Sequence, residues 1–214
     1  ESNYKNIRSL EDLERIYKSS ADEKLIDRLV KCNNCKFEYL NPRINSNIIN
    51  LSYDNNIDDV HVSQNNSRIK TFKKSLKKIT KILNLKNIEN INILDIGSAS
   101  GAFLKASKDF GFKETGYEPS KWMVDYGKAK YSVNLEQGRI QDIKSQKKFN
   151  MITFWDVIEH VTDLDITLNK IDELSTKDTI LIINVPDVDS IMCGLFKSKW
   201  PFYLNVHLYY FNKN

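Results

Sequence analysis

The sequence predicts an α/β fold: a doubly wound, mostly parallel sheet with a small irregular segment in front of it. Three observations carry that expectation. Residues 91–96 form a short apolar run of the kind a strand buried on both faces needs. The run breaks into small residues, Gly97-Ser98-Ala99-Ser100-Gly101, and then into a helix-period segment. Phe103, Leu104, Ala106 and Phe110 are the apolar positions of that segment and Gly111 is its stop. A second short strand, residues 114–117, ends at Glu118. The whole is a β-loop-α-β unit with an acid at the tip of its second strand, where a carboxylate can accept hydrogen bonds from a ribose diol.

The elements before this unit are less regular. Residues 1–31 are mixed and polar, and Ser9 followed by Asp12 suits the start of a helix carrying Leu10, Leu13 and Ile16. Residues 25–30 fit a strand or a helix. Cys32-Asn33-Asn34-Cys35 follows. A C-x-x-C is half of a structural zinc site, which needs four ligands, and Cys193 lies far downstream. Two unligated cysteines in a β-turn are therefore expected. Residues 44–65, rich in Asn, Ser and Asp, read as an irregular linker or lid from which Tyr53 and His61 can reach a substrate. Residues 67–83 predict an amphipathic helix, with Ile69, Phe72, Leu76, Ile79 and Leu83 on one face and lysines as a solvated face. Residues 1–65 are thus an appendage, and residues 66–214 the main domain.

After the central unit, Ser120 is placed to cap a helix with Trp122, Met123, Tyr126 and Ala129 on its inner side. A third strand over about residues 132–137 leads into Gly138-Arg139-Ile140-Gln141-Asp142. A fourth strand, residues 150–154, ends at Phe154 and precedes Asp156-Val157-Ile158-Glu159-His160 at the start of a helix. Leu164, Leu168, Ile171 and Leu174 give the next helix a buried stripe, and residues 179–185 form a fifth strand. The order β-α-β-α-β-α-β-α-β implies a parallel doubly wound sheet with its site at the carboxyl ends of the strands.

The loop chooses between ligands. A dinucleotide fold uses G-x-G-x-x-G, whose middle glycine lets the backbone reach a pyrophosphate. Here Ala99 holds that position and the spacing is G-x-x-x-G. Asp95 at the strand end repels a phosphate but suits a cation. S-adenosylmethionine, with a sulfonium, an ammonium and no phosphate, therefore fits the pattern D-x-G-x-x-x-G plus Glu118 better than NAD does.

With these residues in place, the chain resembles the class I S-adenosylmethionine-dependent methyltransferases, which have a Rossmann-like fold. The closer resemblance is to the small-molecule branch with a D-V-L-E-H-type signature, here Asp156 to His160. Asn184-Val185-Pro186 and His207-Leu208-Tyr209-Tyr210-Phe211 match that branch as well, so the resemblance spans about residues 32–214. It implies cofactor contacts from Asp95, Gly97, Ser98, Gly101, Glu118, Ile140 and Phe154. In the family the turn at residues 138–142 holds adenine, often with an acid where this chain has Arg139. Complete folds of the family add two further strands as a hairpin, and Asn214 comes before there is room for them, so a truncated sequence is expected. The C-x-x-C resembles the second knuckle of a zinc-binding module that precedes some sugar methyltransferases.

Composition bounds the rest. The chain has 214 residues, 41% hydrophobic and 28% charged, enough for one domain with a core and an appendage. A net charge of +4 is too mild to argue for nucleic acid, and no N-P-P-Y-type motif follows the fourth strand to grip a flipped base. No apolar run approaches the length of a membrane span. Three cysteines suggest no disulfide framework and make a reducing cytoplasm the default.

Methyl transfer needs alignment above all, and a hydroxyl or amine acceptor also gains from a nearby base. His207, which follows the aromatic loop Trp200-Pro201-Phe202-Tyr203, is the first choice for that base, titrating near neutrality. His160 is the second, since a residue at the helix start is more readily tied into backbone hydrogen bonds. Asp156, Glu159 and His160, spaced i, i+3, i+4, can share one helical face. By resemblance to quinone-precursor methyltransferases that face can bind a divalent metal, but no metal is assigned. The expected acceptor is a sugar or nucleotide-sugar of a surface glycan pathway. A phenolic quinone precursor, or a non-catalytic cofactor-binding subunit, is the alternative. The oligomeric state is left open.

Overall fold

The computed structural model describes residues 9, 11–12, 16–17, 24–55, 57–144 and 146–213. Packing groups the chain into two units. One gathers Glu1–Asp54, Asp156–Thr162 and Asn184–Asn214, and the other Asn55–Trp155 and Asp163–Ile183. This grouping by packing differs from the linear division at residue 65.

The first unit begins with β1 (Leu29–Lys31) and β2 (Glu38–Leu40), paired antiparallel around the Cys32–Cys35 turn with Val30 opposite Tyr39. Residues 25–30 are therefore strand only at their end. Upstream, Ser9 and Asp12 exchange backbone-to-side-chain hydrogen bonds, as a helix start requires, while Leu10 and Leu13 lie outside the described residues. The linker expected over residues 44–65 is helical instead: α1 (Ser46–Asp54) buries Ile49 and Ser52. Ser52 Oγ donates to Ile49 O (2.7 Å) and Tyr17 O (3.0 Å), so a polar residue that looks like loop is satisfied inside a packed helix.

The second unit opens with α2 (Asp59–Ser63), capped by Asp58, whose carboxylate accepts the His61 N–H at 2.7 Å. α3 (Asn65–Ile82) is the expected amphipathic helix and buries Leu76. Its Phe72 ring sits 5.3 Å from both Phe103 and Trp155. β3 (Asn92–Ile96), α4 (Ala102–Phe110), β4 (Lys113–Glu118), α5 (Lys121–Tyr131) and β5 (Leu135–Gln137) follow. Ser120 caps α5 by accepting the Met123 N–H. The third strand is shorter than expected because Ser132, at φ 52, closes the helix in a left-handed cap. Among the described residues no α-helix separates β5 from the next strand. A single 3-10 turn, Ile140–Asp142, makes that connection. β6 (Met151–Trp155), α6 (Leu164–Leu174) and β7 (Ile180–Asn184) complete the unit. Leu168, expected in the buried stripe of α6, is 46% exposed, and Thr167 takes the inward position.

The five strands run parallel in the order β5-β4-β3-β6-β7. The central pairs are in register Asp95↔Gly116 and Asp95↔Thr153. The core cluster of Leu76, Ile93, Phe103, Ala106, Phe112 and Met151 packs α3 and α4 on one face. A second cluster, Leu104, Val124, Val133 and Leu135, packs α4, α5 and β5. This doubly wound α/β arrangement is the fold class the sequence predicts.

The chain returns to the first unit with α7 (Ile191–Phe196) and β8 (Tyr209–Tyr210). β8 pairs antiparallel with β2, and the Phe37 and Tyr209 rings stack at 6.0 Å. A three-stranded sheet β1-β2-β8 thus ties the two ends of the described chain, which no local sequence signal announces. Among the described residues no helix is long and apolar enough to cross a membrane.

Candidate functional site

The end of β3 positions the loop. Gly97 N–H and Ser98 N–H both donate to Tyr117 O, at 2.8 and 3.1 Å, which folds the loop back over β4. The loop turns through left-handed conformations at Gly97 (φ 67), Ala99 (φ 46) and Gly101 (φ 78). Gly101 begins α4, and a Cβ there would meet Val133 at 3.0 Å as well as being strained. Ala99 carries a side chain in a region L-residues avoid, and its N–H donates to Glu118 Oε2 at 2.9 Å. The other carboxylate oxygen of Glu118 accepts the Ser120 N–H at 3.0 Å. Gly138 N–H donates to Glu118 O at 3.0 Å, which brings the turn carrying Arg139 and Ile140 to the same strand end.

Asp95 is buried and accepts the Thr153 hydroxyl at 2.6 Å. Burial pushes its carboxyl up to about 7, against hydrogen bonds from Thr153 and Ser98 that pull it down. The negative Glu118 nearby adds to the rise. Among the described residues no Lys or Arg pairs with Asp95. A buried Asp95 without a basic partner among the described residues, beside a Glu118 held by backbone amides, suits a ligand that brings its own positive charge and offers hydroxyls, and the two carboxylates repel a phosphate. The residues present therefore fit S-adenosylmethionine. Asp95, Gly97, Ser98, Gly101 and Glu118 gather at this strand end. Ile140 and Phe154 are themselves buried, at 2% and 0% exposure, so their side chains belong to the packing beneath it.

In the first unit, the residues after Trp155 do not start a helix. Asp156 sits at φ 56 and a 3-10 turn, Ile158–His160, follows. The expected helical face of Asp156, Glu159 and His160 is therefore not formed. Asp156 instead accepts the Asn184 side-chain N–H at 2.6 Å. Glu159 and His160 meet His207, and the three offer ligand atoms within 4.8 Å of one another. The His160 and His207 rings lie edge to face at 4.8 Å. Tyr53 packs its ring 6.1 Å from that of His160, whereas His61 belongs to α2, beside its cap Asp58.

Both histidines are fixed the same way. His160 Nδ1 lies 2.8 Å from Val206 O and His207 Nδ1 lies 2.9 Å from Phe202 O. A carbonyl only accepts, so each Nδ1 carries the proton and each Nε2 keeps its lone pair. The backbone tie expected for His160 alone is shared by both. Burial lowers the pKa of His207 to about 4, against the bond to Phe202 that raises it; burial first, and then the repulsion a second positive charge would meet beside His207, lowers that of His160 against the bond to Val206. The titration expected near neutrality is thus displaced, and both rings are neutral at physiological pH. Glu159, 1% exposed, is pushed up to about 8 by burial and then by Asp156, against its own backbone hydrogen bond.

The aromatic loop after α7 lines a groove of about 1080 Å³ together with Lys24, Lys197 and Lys199. Trp200 and Tyr203 in that wall pack edge to face at 5.2 Å. Sequence reasoning missed Thr153, Asn184 and the Ala99 N–H as supports of the site. Thr153 was within reach once β6 was placed beside β3, because the register sets it against Asp95.

Comparison with known proteins agrees with this fold. The profile of a family described as Methyltransferase domain matches residues 67–213, more than half of the chain. A similar solved structure is a Thermotoga maritima S-adenosylmethionine-dependent methyltransferase described as a possible histamine N-methyltransferase. It is 20% identical with a TM-score of 0.51, over 68% of this chain and 65% of that one. Streptomyces venezuelae DesVI is 18% identical (TM-score 0.51), over 63% of this chain and 59% of that one. The magnesium protoporphyrin IX methyltransferase of Synechocystis, solved with bound S-adenosylhomocysteine, is 13% identical (TM-score 0.54) over 75% of each chain. The chain thus spans less than two thirds of the first two of these proteins. No curated protein sequence matches it significantly. The chain belongs to the methyltransferase-domain family, with the fold of the class I S-adenosylmethionine-dependent methyltransferases.

Proposed function

We propose that the protein transfers a methyl group from S-adenosylmethionine to a small molecule, a sugar or nucleotide-sugar, in the cytoplasm. The observation that carries the reading is the strand end at which buried Asp95, with no basic partner among the described residues, and amide-bound Glu118 flank a tight loop. The cofactor supplies a methyl group on a sulfonium. The chain's own residues bind, orient and move a proton. Glu118 is held by two backbone N–H groups and is thereby oriented to accept ribose hydroxyls; Asp95 offers negative charge to the cationic end. His207 is the base: neutral, with its Nδ1–H on Phe202 O and its lone pair on Nε2, it takes a hydroxyl proton from the acceptor as the methyl moves. His160, fixed in the same tautomer, is the second candidate. Two features of the first unit support the acceptor class. The groove at Trp200 and Tyr203 combines an aromatic wall with Lys24, Lys197 and Lys199, which suits a phosphorylated sugar. The Cys32–Cys35 turn has amides of Cys35 and Asn34 that lower the Cys32 thiol pKa, as in a zinc knuckle, and is read as a remnant of one. Three free thiols suit a reducing compartment.

The test is a labelled-methyl transfer screen against nucleotide-sugars and phenolic quinone precursors. Label on a nucleotide-sugar is the expected result, and label on the phenols alone would overturn the acceptor assignment. In the active enzyme His207→Ala should leave cofactor affinity nearly unchanged and cut turnover by about 10²–10⁴-fold. Full activity of His207→Ala with loss in His160→Ala would move the base to His160.

A further inference from the structure

We propose that Glu159, His160 and His207 form a binding site for a divalent transition-metal ion of zinc's class, contrary to the expectation that the chain holds no metal. Three observations converge on it. First, the three donors are gathered from separate stretches, with ligand atoms within 4.8 Å of one another. Second, both imidazoles present their Nε2 lone pairs while their Nδ1–H groups are anchored on backbone carbonyls, Val206 O and Phe202 O. Metal-ligating histidines are oriented by such a second hydrogen bond. Third, Glu159 is 1% exposed, and apart from its own backbone N–H neither carboxylate oxygen has a hydrogen-bond partner among the described residues. A buried carboxylate with no donor is costly unless something positive meets it.

The donor set is two imidazoles and one carboxylate, three protein ligands with a fourth position left for a water or substrate oxygen. Imidazole favours zinc, copper, iron and nickel over magnesium or calcium. Ligand bonds of about 2.0–2.2 Å place tetrahedral donors on the order of 3.4 Å apart, so the set closes on an ion by moving on the order of 1 Å. Asp156, which the sequence groups with Glu159 and His160, is not a member, because its carboxylate is bound by Asn184. The role of the ion rests on the methyl-transfer reading: it would hold and polarise the acceptor oxygen, with His207 as its ligand in the loaded site, so the base role given to His207 above belongs to the ion-free chain. Ion binding itself does not depend on that reading.

The experiment titrates the chelator-stripped full chain with Co²⁺, read by visible ligand-field absorption and by competition with Zn²⁺. Cys32→Ser/Cys35→Ser serves as the background, so that the C-x-x-C pair does not take the ion; the remaining thiol, Cys193, is buried. One Co²⁺ per chain is expected, without a thiolate charge-transfer band. Glu159→Gln keeps the side-chain shape, and circular dichroism verifies its fold. It should weaken binding by more than about tenfold, since even outer-shell changes cost about 10–100-fold. His207→Gln should do the same. No stoichiometric ion in the Cys32→Ser/Cys35→Ser background, or binding unchanged in both folded variants, overturns the proposal. Because no cofactor or acceptor is present, either result leaves the methyl-transfer assignment to its own test.

Discussion

At the scale of single residues, the cofactor loop is held by charge and by amides. Glu118 receives N–H groups from Ala99 and Ser120, so its carboxylate is oriented before any ligand arrives. Glu118→Ala removes acceptors for the ribose and should weaken S-adenosylmethionine binding by about 1–3 kcal/mol. Calorimetry with equal affinities for the two proteins would remove the ribose role. Asp95 makes a pH-dependent claim. Its folded pKa of about 7 lies above the ordinary carboxyl value of 3.8, so below pH 7 the folded carboxyl keeps its proton. A cationic ligand prefers the ionised form, and binding must then release that proton. Affinity should therefore rise with pH up to about 7 and level off above it, while Asp95→Asn should give a flat profile. A flat profile for the wild type would detach Asp95 from the cation.

At the scale of elements, the loop stores strain in one place. Ala99 occupies φ 46 between two glycines that take positive φ freely. Holding a side-chain-bearing residue there costs about 1–2 kcal/mol. Ala99→Gly should then stabilise the fold by about 1 kcal/mol, measured as a shift of the denaturant midpoint at constant slope. An unchanged or lower midpoint would mean that the loop is unstrained. This loop, its flanking strands and α4 were legible because apolar period, small residues and stop signals coincide within a few residues. The segment over residues 44–65 was not. Its helices α1 and α2 carry Asn, Ser and Asp, which favour caps and turns, and they form through tertiary contacts such as Ser52 on Tyr17 O. The D-x-x-E-H stretch also misled: the pattern suits a helix start, but Asp156 at φ 56 and its bond to Asn184 break the helix before it begins.

At the scale of the whole molecule, the parallel sheet follows from local signals, and the first unit does not. β8 reaches β2 across most of the chain, and Asn205 accepts the N–H groups of Ile26 and Asp27 at 2.8 and 3.1 Å. Pairings of such sequence separation leave no periodic mark. The same is true of the histidines: His160 and His207 are far apart in sequence, and only the fold puts their rings 4.8 Å apart beside Glu159. The central claim remains the one the loop makes, that this strand end takes a cationic nucleoside and no pyrophosphate. It is tested most directly by isothermal titration of the full chain with S-adenosylhomocysteine, S-adenosylmethionine and NAD. The account predicts saturable one-to-one binding of the two sulfur nucleosides, the charged one gaining affinity as the pH rises toward 7, and no binding of NAD. Saturable binding of NAD with none of S-adenosylmethionine would contradict it.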